Sequence, residues 1–155
     1  MNFGAAEIPD TMGLDAGVYV HRRNLPFELR ASHPRIDAET GEVCFADSTK
    51  VPQGVEFVAV EMRLGNLALI AALREQIRTI FGSDSNSLLI DGVLYSGSHS
   101  GDVIPVADLG RLRDELAKLQ NLTEGNRTAE LSTFLDQFQQ LVASAEYQQN
   151  PIVFI

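Results

Sequence analysis

Leu131, Phe134, Leu135, Phe138, Leu141, Val142 and Ala145 recur at offsets of three and four. That spacing puts all seven on one face of a helix near 128–147, and the helix must bury that side. A second stripe, Val106, Leu109, Leu112, Leu116 and Leu119, follows Pro105, which sits where it can open a helix. The segment 121–126, with Gly125, ends it. A third pattern, Leu67, Ile70, Ala71, Ile77, Ile80 and Phe81, begins after Gly65-Asn66 and stops at Gly82, predicting a helix over 66–81. Elsewhere the period shortens to two. Residues 18–21, 42–45 (after the Thr40-Gly41 turn) and 56–62 alternate as strands do. In the last of these, Val55, Phe57 and Ala59 interleave with Val58, Val60 and Met62, which predicts a strand covered on both sides.

Two short apolar runs complete the pattern. Ser87-Leu88-Leu89-Ile90 and Val93-Leu94-Tyr95 flank Asp91-Gly92, the signature of a hairpin, or of one strand bent by a bulge. Ile152-Val153-Phe154-Ile155, behind Asn150-Pro151, predicts a closing strand paired inside a sheet. The whole predicts an α+β fold with a single domain over 1–155: a mainly antiparallel sheet, three helices packed on one face and a C-terminal strand.

Composition narrows the class. Of 155 residues, 45% are hydrophobic and 21% charged, a globular balance that excludes a wholly disordered chain. No apolar run nears the roughly 20 residues needed to cross a bilayer, so no membrane partner is expected. Twelve Lys+Arg against 21 Asp+Glu leave a net charge of -9. Such a surface repels phosphate, so no direct nucleic-acid binding is expected, whereas encounter with a basic protein is favoured. The first fifteen residues carry no Lys or Arg, unlike a secretory signal. Cys44 is the sole cysteine, which excludes an internal disulfide and makes a reducing cytoplasm the expected location. Between Val43 and Phe45, its thiol is expected to be buried.

Candidate chemistry is sparse. Gly97-Ser98-His99-Ser100-Gly101 has the glycines of a nucleophile elbow but sets histidine, not serine, at the centre. Adjacent side chains diverge, so His99 is badly placed to activate Ser98 or Ser100. The plainer expectation is that the loop turns the chain and that Ser100 or Asp102 caps the coming helix. His21, His33 and His99 stand far apart without metal-ligand spacing, and phosphate-binding glycine loops are absent. No metal, no cofactor and no enzymatic activity are therefore expected. The basic group His21-Arg22-Arg23, with Arg30 and Arg35, reads as solvated surface or internal ion pairs.

From residue 87 onward the order of features resembles a family of bacterial immunity proteins from polymorphic-toxin systems, the one designated immunity protein seventy. The residues that carry the resemblance are the apolar run 88–95, the loop His99-Ser100-Gly101-Asp102, the helices over 109–119 and 131–145, and the closing Pro151-Ile152-Val153-Phe154. The resemblance implies a small cytoplasmic protein that binds a cognate toxin domain and blocks it. A basic, nuclease-type toxin would suit the acidic charge. Loops on a rigid scaffold commonly carry binding residues, so toxin contact is expected at the 96–102 loop and its flanking turns, through Asp84, Asp91, His99 and Asp102. The alternatives are an adaptor subunit of a bacterial assembly, or a small hydrolase using His99 with Asp91 or Asp102.

Overall fold

In the computed structural model, which describes residues 12–46, 51, 57–82 and 86–155, the three amphipathic patterns become three long helices. These are α2 (Leu67–Phe81), α3 (Leu109–Leu122) and α4 (Ala129–Gln148); the short α1 (Phe27–Ala31) precedes them. Their ends have local causes. The Asn66 side chain accepts from the Leu69 N–H at 2.9 Å, and Thr128 Oγ1 accepts from the Leu131 N–H at 3.2 Å, each satisfying a donor left free in the first turn. Gly82 ends α2 at φ +92°, a conformation glycine adopts without a side-chain clash. Leu131, Phe134, Leu135, Phe138, Leu141, Val142 and Ala145 are all buried, as their spacing predicts.

Four strands form the main sheet: β1 (Gly13–Tyr19), β4 (Val58–Asn66), β5 (Val103–Ile104) and β6 (Ile152–Phe154), in the order β4-β1-β6-β5 with antiparallel pairs throughout. Ile152, Val153 and Phe154 of the closing apolar run form an interior strand, with Phe154 opposite Ala16 and Ile152 opposite Ile104, while Ile155 lies beyond it and is exposed. The antiparallel pair β2 (Arg35–Ile36) and β3 (Val43–Cys44) stands apart from this sheet. Alternate residues of β1, Leu14, Ala16 and Val18, enter one core with Leu64, Ile152 and Phe154 and the apolar stripes of α2, α3 and α4. The helices thus cover one face of the sheet, in an α+β arrangement. A smaller cluster, Leu25, Leu29 and Val43 with Val20, Phe45 and Phe57 against it, anchors α1 and the β2–β3 pair.

Four expectations are corrected. First, Asp91-Gly92 does not turn a hairpin, nor does it mark a bulge in a strand; residues Leu89–Val93 wind into a π-helical turn. Leu89, Ile90, Val93 and Leu94 are all buried, and their spacing suits a helical turn as well as a strand, an ambiguity inherent in short apolar runs. Second, β4 is an edge strand with one covered face. Val60, Met62 and Leu64 turn into the core and Val58 is half-buried, while Ala59, Glu61 and Arg63 are exposed; Phe57 precedes the strand and belongs to the smaller cluster, and Val55 lies outside the described residues. Third, Cys44 is exposed, because in the two-residue β3 it is Val43 that takes the inward position. Fourth, Val106 leaves its stripe and is 45% exposed. Side chains of a helix lean toward its N-terminus, so one in the opening 3-10 turn projects past the packed part of α3.

Candidate functional site

The 96–102 loop is built onto the sheet rather than onto a helix. The Gly101 N–H donates to the Phe154 carbonyl at 2.7 Å, and the Phe154 N–H donates to the Asp102 carbonyl at 2.9 Å, so the loop extends the β5–β6 ladder. Gly101 lies at φ +96°, which explains a glycine there. Neither Ser100 nor Asp102 caps a helix. Strand β5 and Pro105 intervene, and Pro105 holds the capping position without a side-chain hydrogen bond. The capping expectation fails because it overlooked a strand only two residues long.

At the centre of the loop, His99 is buried between two rings. Its imidazole stacks on Tyr95 with centroids 4.5 Å apart and tilts against Phe154 at 4.3 Å. Nε2 lies 2.7 Å from the Val93 carbonyl oxygen. A carbonyl only accepts, so Nε2 carries the proton. Nδ1 lies 3.2 Å from Asp102 Oδ2 but out of line for a hydrogen bond. The Tyr95 hydroxyl donates to the same carboxylate oxygen. The structure thus brings together His99 and Asp102, two of the four candidates, and adds Tyr95 and Phe154, which sequence reasoning missed. Tyr95, directly before the loop, was the available signal, but nothing in the sequence says that it and Phe154 meet over one ring.

The other candidates stand apart. The Asp91 side chain is exposed on the π-helical turn and joins neither His99 nor Asp102. Asp84 lies outside the described residues. With Nε2 committed to a backbone carbonyl and the ring closed in by Tyr95 and Phe154, His99 holds the loop on the sheet. Among the described residues, no hydrogen bond links it to Ser98 or Ser100, and no group of His, Cys, Asp and Glu has the geometry to hold a metal ion. A surface concavity of about 480 Å³ is lined by Gln120, Asn121, Glu124, Gly125 and Arg127, away from these residues in the chain.

Against the segment 87–89 lies a carboxylate that the sequence did not single out. Glu115 of α3 accepts from the Ser87 hydroxyl at 2.7 Å and from the N–H groups of Leu88 at 2.9 Å and Leu89 at 3.2 Å. It caps the π-helical turn from a different element, and Arg111 lies 3.3 Å away as its ion-pair partner. The turn that displays Asp91 is thereby fixed to α3.

The basic group resolves into a surface. Among the described residues, Arg22, Arg23, Arg30 and Arg35 are exposed and none lies within ion-pair distance of a carboxylate. His21 Nδ1 accepts from the Arg23 backbone N–H at 3.1 Å, and the His21 backbone N–H donates to Gln148 Oε1 at 2.8 Å. Burial, then the charge of Arg23, lowers the His21 pKa below its ordinary 6.5. The folded chain consequently binds fewer protons here than the unfolded chain just below pH 6.5, so this contribution to stability is present above that pH and is lost as the pH falls through it. Urea unfolding at pH 7.5 and 5.0 should show a larger acid-induced loss for the parent than for His21→Asn, whose carbonyl can still accept from Arg23.

No family model, no curated protein and no solved structure matches the chain. Among the described residues, no helix is long and apolar enough to cross a membrane.

Proposed function

We propose that this chain is a non-catalytic immunity protein of the bacterial cytoplasm, which binds a cognate toxin domain and neutralises it by occlusion. The observation that carries the reading is the presentation of Asp91 and Asp102. Both carboxylates are exposed, Asp91 on the π-helical turn that Glu115 fixes to α3 and Asp102 on the loop that the buried His99 holds on the sheet. Segments held in one conformation lose little entropy when a partner docks. The net charge of -9 favours encounter with a basic toxin of the nuclease type, and the resemblance from residue 87 onward supports the same class. An interface of standard size, roughly 1,200–2,000 Å² in total, would extend beyond these two side chains.

The test is toxin affinity measured by titration calorimetry for Asp84→Lys, Asp91→Lys, Asp102→Lys and His99→Ala, each first checked for a native melt. Reversal of Asp91 or Asp102 is expected to weaken binding by about 2 kcal/mol or more if the charge is buried against a cation. Parent-like affinity in all four variants would move the contact surface elsewhere. Failure of the chain to co-purify with any toxin encoded beside its gene would count against the immunity reading itself.

A further inference from the structure

A second surface has a different chemistry. Residues 20–36 hold four arginines against a single acid, Glu28, in a chain of net charge -9. The fold adds to them the two most exposed large hydrophobic side chains among the described residues, Phe27 at 71% and Tyr147 at 70%. Several of these residues adjoin in series. The Arg30 guanidinium lies 5.9 Å from the Phe27 ring centroid, and Arg30 Nη1 reaches the Arg23 carbonyl at 3.5 Å. Arg23 in turn donates through Nη2 to the Tyr147 carbonyl and through Nη1 to Gln149 Oε1, both at 3.0 Å. Arg23, Arg30 and Phe27 therefore form a strip against the end of α4, which Tyr147 joins through its backbone carbonyl while its ring stays exposed.

We infer that this strip is a docking surface for an acidic segment of a partner protein, one that combines carboxylates with apolar side chains. Exposed arginines and aromatics are the residue types that dominate binding energy at protein interfaces. Among the described residues, no carboxylate lies within ion-pair distance of Arg22, Arg23 or Arg30, so a visiting carboxylate displaces no ion pair with a described acid. Arg23 is already fixed by the end of α4, which reduces the ordering cost of binding. A nucleic acid fits less well, because its phosphates continue past the strip onto a surface that is otherwise strongly acidic, whereas a short peptide segment stays local. A second copy fits less well too. Two-fold pairing of the strip would set arginines against arginines, and docking of the strip on an acidic face elsewhere is a heterologous contact, which gives a ring or an open chain rather than the common two-fold dimer. The inference is independent of the toxin reading, which concerns the surface around Asp91 and Asp102.

The test uses the full chain and a fluorescein-labelled dodecapeptide of repeated Glu-Glu-Leu, followed by fluorescence anisotropy at low and high salt. A peptide with Lys in place of Glu and a single-stranded DNA dodecamer serve as comparison probes. The parent is expected to bind the acidic peptide with a Kd of about 100 µM or tighter, weakened by salt. The double variant Arg22→Glu/Arg30→Glu should lose about tenfold or more, and Phe27→Ala should lose affinity without losing salt dependence. These substitutions spare Arg23, which holds the end of α4, and a native melt confirms each fold. Absence of acidic-peptide binding, equal binding by the double variant, preference for the DNA, or self-association abolished by the double variant would each overturn the inference.

Discussion

Phe154→Ala is expected to lower the free energy of unfolding by about 3–5 kcal/mol, the usual cost of emptying a buried phenylalanine site. Phe154 is 1% exposed, sits in interior strand β6 opposite Ala16 and supports the His99 ring at 4.3 Å. Its removal therefore opens a cavity between the sheet and the loop, where neither neighbour can close in without breaking the β5–β6 ladder. Against a typical total of about 5–15 kcal/mol, the loss would leave a marginal protein. Urea unfolding monitored by circular dichroism measures it. Phe27→Ala is the matched control: at 71% exposure it should change stability by about 0.5 kcal/mol or less. Equal effects of the two substitutions would contradict the placement of β6 inside the sheet.

Glu115→Ala is expected to cost about 2–4 kcal/mol, although the residue belongs to a charged face by its helical spacing. Its side chain is only 15% exposed and serves the Ser87 hydroxyl and two backbone N–H groups, while Ser87 itself is 3% exposed. Truncation leaves three donors without their acceptor, and unsatisfied buried polar groups cost about 1–3 kcal/mol each, with partial relief where water can enter. Hydrogen exchange separates this from a general loss of packing. The Leu88 and Leu89 amides should exchange faster in the variant, while those in the middle of α4 should change only by the global loss of stability.

The long helices and the closing strand were legible in the sequence because each must bury a face, and burial leaves a period. Seven of seven predicted α4 residues lie in the core for that reason, and Ile152, Val153 and Phe154 are apolar in succession because β6 is enclosed. Asn66, Gly82 and Thr128 could also be placed near helix ends, since capping is local chemistry. Where the apolar run was short, local pattern had no such authority. Residues 87–95 supply a hairpin, a bulged strand and a helical turn with equal ease, and Glu115, 24 residues beyond Asp91, decides for the π-helical turn by taking its free N–H groups. Layer packing likewise decided that β4 shows one face to solvent, since the helices cover the side that carries Val60, Met62 and Leu64 and the alternation of Val and Ala does not say which faces are covered. The candidate site divides along the same line. Sequence proximity found His99 and Asp102, but Phe154 joins them only through β6, and Tyr147 meets Arg23 only because the end of α4 returns to the chain after β1. Periodicity and capping are written within a few residues of each position; contacts across more than fifty or a hundred residues are fixed only when the sheet order and helix packing are fixed, and that is where the tertiary structure alone decides.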